Sequence, residues 1–64
     1  GPAEWWKSSN DQGELALAAV LIRKVLADVD AIPVRSAAVA LRVAIRGRIG
    51  VDVDEAFPTT GEVR

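Results

Sequence analysis

An all-α fold is what this sequence predicts: a small helical hairpin followed by a short third helix or an extended C-terminal segment, assembled as an oligomer. Three observations carry that expectation. Apolar residues recur at helical spacing from Leu15 to Val29 and again from Val34 to Ile45. Pro33 separates the two runs, disfavouring helical geometry at Ile32 and suiting the first turn of a following helix. The stretch from Leu15 to Ile22 is apolar almost all round, which the surface helix of a monomer tolerates poorly. With 64 residues the chain makes one domain at most, and it hides only about 60% of the surface its unfolded form exposes.

The chain divides into residues 1–10, a polar leader, residues 11–58, the helical module, and residues 59–64, a tail. Gly1 and Pro2 have the form of a scar left by removal of an affinity tag, so the natural segment is expected to begin near Ala3 within a larger protein. In the leader, Trp5 and Trp6 are adjacent and must point in different directions, one inward over Leu17 or Val20 and one outward. Ser8, Ser9, Asn10 and Asp11 can each cap a helix, and Asp11 with Glu14 or Ser9 with Gln12 makes a capping box. The first helix is expected from about Asp11 to Asp30. Leu15, Ala18, Ala19, Ile22, Val25, Leu26 and Val29 then form its core face, while Leu17, Val20 and Leu21 point elsewhere and need a cover.

The second helix is expected from Pro33 to Arg46, ended by Gly47. Val34, Ala38, Leu41 and Ile45 line its core face, and Ala37, Ala40 and Ala44 make a neighbouring face of small side chains that permits close approach of another helix. Arg35, Arg42 and Arg46 fall within about 40° of one another on the helical wheel, and Arg48 extends this basic stripe. Beyond it, Val51 and Val53 alternate with Asp52 and Asp54 as in a strand, yet Asp52 and Glu55 fit a capping box. A short helix from Val53 to Phe57, stopped by Pro58, is the favoured reading, with an extended edge as the alternative.

Composition removes most enzyme chemistry. Neither Cys nor His is present, so there is no disulfide framework, no zinc site of the usual kind and no activated nucleophile for Ser8, Ser9, Ser36, Thr59 or Thr60. No catalytic residue, cofactor or metal is expected, and Asp52, Asp54 and Glu55 lack the rest of a calcium loop. Net charge is −1, but the four arginines from Ala31 to Val51 meet no acid in that stretch, while acids crowd the tail. Arg46-Gly47-Arg48 echoes an A·T minor-groove motif without its flanking prolines. No membrane span is expected, because Arg23 and Lys24 interrupt the one long apolar run. A chain without thiols fits the cytoplasm.

The run VALRVAIRGRIGVDV, Val39 to Val53, resembles the second helix and following loop of acyl and peptidyl carrier domains. Those domains attach phosphopantetheine to a Ser just before that helix. An ungapped match sets Arg35 at that position with Ser36 one place late, and the family's long first loop is missing, so no functional residue carries over. The expectation is therefore a non-catalytic interaction module, for oligomerisation or for docking a partner protein. Its contact residues are Trp5, Trp6, Leu17, Val20, Leu21, Ala37, Ala40 and Ala44. The alternative is a nucleic-acid-binding module using Arg35, Arg42, Arg46 and Arg48.

Overall fold

Helix ends follow from caps, and here they lie within a few residues of where spacing puts them. The computed structural model describes residues 2–7 and 9–59, with side chains from residues 5–7 and 10–59. A 3-10 segment, Pro2–Lys7, precedes three helices: α1, Ser9–Asp28, α2, Ile32–Ile49, and α3, Val53–Ala56. No strand occurs among the described residues. Because α1 begins at Ser9, Asn10 and Asp11 already belong to its first turn, and the N-cap position, Ser8, lies outside the described residues. Residues 60–64 of the expected tail also lie outside them.

Helix α1 ends two residues earlier than its apolar period suggested. Val29 still donates to the Val25 carbonyl at 2.9 Å, but an arginine side chain then closes the helix. Arg35 Nη1, from the first turns of α2, donates to the Leu26 and Val29 carbonyls at 2.6 and 3.2 Å. A cation at a helix C-terminus satisfies carbonyls that have no partner within the helix and meets the negative end of its dipole. Ala31, in extended geometry with Pro33 close behind it, opens α2, and its carbonyl accepts from Val34 and Arg35.

The expected stop at Gly47 is corrected by the structure. Helix α2 runs through Gly47 to Ile49, and Gly50 ends it in the left-handed conformation at φ 86°, its amide donating to the Arg46 carbonyl at 2.9 Å. Mid-helix glycine costs only about 1 kcal/mol. Extending the helix carries Ile49 into the core one turn after Ile45, which offsets that cost. The third element is helical, as favoured. Asp52 caps it by accepting the Asp54 amide at 3.1 Å, and the Phe57 amide closes it on the Val53 carbonyl at 2.8 Å. A local cap thus decides against the two-residue alternation.

Trp6, Ala19, Ile22, Ala38, Ile45, Ile49 and Val53 form the buried core. Trp6 is 6% exposed and packs edge-on against Phe57, with ring centroids 5.5 Å apart. One indole turns inward and one outward, as their adjacency requires, but the inward ring does not reach Leu17 or Val20, which stay exposed. Trp6, expected among the contact residues, is therefore placed in the core of the chain. Leu41 and Val34, expected in the core, are exposed as well, because α2 is rotated so that the line Ala38, Ile45, Ile49 faces inward. Leu15 and Ala18 lie near Ala44 and Ile45, and Val25 lies near Val34, so α1 and α2 run antiparallel.

Two glycines make opposite predictions. A Cβ at Gly47 meets nothing within 4 Å, so Gly47→Ala should raise stability by about 0.5–1 kcal/mol. Gly50→Ala forces a side chain into left-handed backbone and should lower it by about 1–2 kcal/mol. Urea unfolding followed by circular dichroism checks both. Trp6→Ala should cost about 3–5 kcal/mol. Against a total of roughly 3–10 kcal/mol for a chain of this length, that leaves much of the protein unfolded, whereas Trp5→Ala should leave it folded.

Candidate interaction face

Arginines aligned on a wheel need not make a basic surface, since each guanidinium goes where its donors are satisfied. Arg35 turns back onto the end of α1, as described. Arg42 forks onto Asp52, with Nε to Oδ1 at 2.7 Å and Nη2 to Oδ2 at 3.0 Å, and its Nη2 also lies 3.6 Å from Asp54. The hydrogen bond from Arg42 holds the Asp52 carboxyl below the usual carboxylate range. Partial burial opposes the shift, while the Asp54 amide and the charges of Arg42 and Arg46 add to it. The guanidinium of Arg48 lies 5.5 Å from the Trp5 ring centroid, and its carbonyl accepts the Trp5 indole N–H at 3.3 Å. Arg46 remains exposed. Of the four expected stripe residues, Arg35 and Arg42 are thus directed into the chain.

A further arginine carries structure that sequence reading treated only as an interruption of an apolar run. Arg23 of α1 donates from Nε to Asp54 at 2.8 Å and from Nη2 to the Phe57 carbonyl. Arg23 and Arg42 together clamp α3 from both long helices. Asp52 and Asp54, two of the three carboxylates that lack the rest of a calcium loop, serve as acceptors for this clamp.

What remains open is apolar. Besides Leu17, Val20 and Leu21, the exposed large hydrophobic residues include Trp5, Ile32, Val34, Val39, Leu41 and Val43. A groove of about 200 Å³ runs between α1 and α2, lined by Leu21, Ile22 and Val25 on one side and by Val34, Ala37, Ala38 and Leu41 on the other. It shares Leu41 with a second recess of about 420 Å³, where Leu15, Ala18, Ala44 and Ile45 meet a polar rim of Asp11, Glu14, Arg48 and the Trp5 ring. Leu17, 71% exposed, stands one turn before Leu21 at the edge.

The face therefore brings together Leu21, Ala37, Ala44 and Trp5 from the expected contact set, and Leu17 is exposed one turn before Leu21 without lining either recess. Val20 sits on another flank of α1, beside Arg23, Lys24 and Ala27. Ala40 is exposed but lines neither recess. Val25, Val34, Leu41 and Glu14 were missed as face residues. The spacing 34, 37, 41, 44, 48, a second helical stripe beside the core stripe, was the signal that could have found them.

No protein-family model, curated protein or solved structure matches the chain. The likeness of residues 39–53 to carrier domains thus has no family match behind it. Among the described residues, no helix is long and apolar enough to cross a membrane.

The clamp predicts a pH dependence. The folded Asp52 carboxyl releases its proton more readily than the unfolded one, so its contribution is complete above the ordinary aspartate range. It is lost as pH falls through the lower, folded value. Asp52→Asn keeps an oxygen to cap α3 but removes the charge. It should lower the melting temperature at neutral pH and flatten the acid limb of a plot of melting temperature against pH.

Proposed function

We propose that this chain is a non-catalytic protein–protein interaction module, an oligomerisation or docking domain working within a larger protein, and that the open α1–α2 face is its contact surface. One observation carries the reading: a nearly continuous apolar groove, flanked by Leu17, Leu21 and Leu41 at 71%, 59% and 42% exposure, on a chain with little core to spare. Water-exposed apolar surface of this kind gains about 25 cal/mol per Å² when another protein covers it. Ala37 and Ala44 let a partner helix approach closely, and Trp5 and Arg48 at the rim are of the residue types that dominate interface energetics. A chain without cysteine agrees with a cytoplasmic setting. The nucleic-acid reading draws less support, because Arg35 and Arg42 donate within the chain rather than outward.

A dye that brightens on apolar surfaces tests this. At a concentration where the chain is monomeric and fully helical, anilinonaphthalene sulfonate emission should rise several-fold. Leu21→Asp combined with Leu41→Asp should remove most of that rise without loss of helix content. A folded monomer that leaves the dye dark would mean the face is closed, and the docking reading would fail.

A further inference from the structure

Resting on the docking reading, we infer that the occupant of the open face is a second copy of this chain, arranged about a two-fold axis parallel to α1 and α2 to make an antiparallel four-helix bundle. Size and charge both lead there. On α1, Leu17 and Leu21 are exposed, and on α2 so are Ala37, Ala40 and Ala44, with Leu21 and Ala37 lining the groove between the helices. Within one chain Leu21 and Ala37 line opposite sides of a groove that stays open, so neither set is covered. Rotation about an axis along the helices sets α1 of one chain against α2 of the other at equal height. The recess linings fix those heights: Ala18 beside Ala44, and Leu21 beside Ala37 and Leu41. Leu17 then meets the copy's Ala44, and Leu21 the copy's Ala37.

Charge selects the same axis. One end of the face carries Glu14 on α1 and Arg48 on α2, and this rotation keeps that end against its equivalent. Each Glu14 therefore faces the copy's Arg48, twice per dimer. A two-fold axis across the helices instead stacks α1 on α1 and α2 on α2. It puts Ala against Ala and turns Arg48 toward the copy's α2 start, in a stretch from Ala31 to Val51 that holds no acid.

Sedimentation equilibrium over a concentration series, combined with charge reversal, tests the arrangement. Mass should rise from 6.8 kDa to twice that value, and Leu21→Asp should hold it at the lower one. Glu14→Arg alone, or Arg48→Glu alone, sets like charges together at both contacts and should weaken the dimer about tenfold. An equimolar mixture of the two variants restores both contacts and should recover wild-type association as a mixed dimer. Because Arg48→Glu also gives up the stack on Trp5, Ala44→Leu provides a second probe: it fills the site Leu17 of the copy requires and should weaken the dimer by at least a similar factor. A chain that stays at monomer mass to millimolar concentration, while still brightening the dye, overturns self-association and leaves the docking reading standing. Dimers with no preference for the mixed pair, or indifferent to Ala44→Leu, overturn this geometry.

Discussion

Helices of four residues have no stability of their own, since isolated helices shorter than about 12–15 residues are marginal even with favourable sequences. Yet α3 closes one side of this protein. It is held there by Val53, which is fully buried, by the edge-on contact of Phe57 with Trp6, and by Arg23 and Arg42 reaching from the two long helices. Two antiparallel helices enclose nothing by themselves. Every buried residue on the covered side depends on this short roof and on the 3-10 segment that brings Trp6 beneath it.

The other side has no such roof. Overall extents of 37 × 30 × 17 Å leave room along the shortest axis for two layers at the 8–10 Å spacing of packed helices. One layer is α1 with α2, and the other is α3 with the N-terminal segment. A core of Ala, Val and Ile with the one ring of Trp6 supplies enough bulk to join those two layers but no third one. Leu21, Val34 and Leu41, left over from α1 and α2, consequently line the recesses of the open face, while Val20 and Val39 lie on other flanks.

Arginine has a structural part here that its exposure on a wheel conceals. Arg35 finishes α1, Arg42 and Arg23 clamp α3, and Arg48 stacks on Trp5. Planar guanidinium groups with five donors suit such bridging better than an ammonium would. The ion pairs keep part of their surface in water, so their value lies in fixing where α3 docks more than in raw stability.

By itself the sequence determined the all-α class, the break before Pro33 and the core face of α1, and it favoured over an extended segment the Asp52 cap that starts Val53–Ala56, because each is set by residues within a turn or two of one another. It also marked Leu17 and Leu21 as needing a cover. Tertiary structure alone decided that α2 passes through Gly47 to Gly50, that Trp6 joins Phe57 instead of shielding Leu17, and that Leu41 faces water. Those outcomes turn on the rotation of α2 and on where α3 lands, and both are set by contacts between residues far apart in the chain, such as Arg23 with Asp54 and Trp6 with Phe57. Helical period names the faces of a helix, but only packing chooses which face is buried when, as in α2, two adjacent stripes are both apolar.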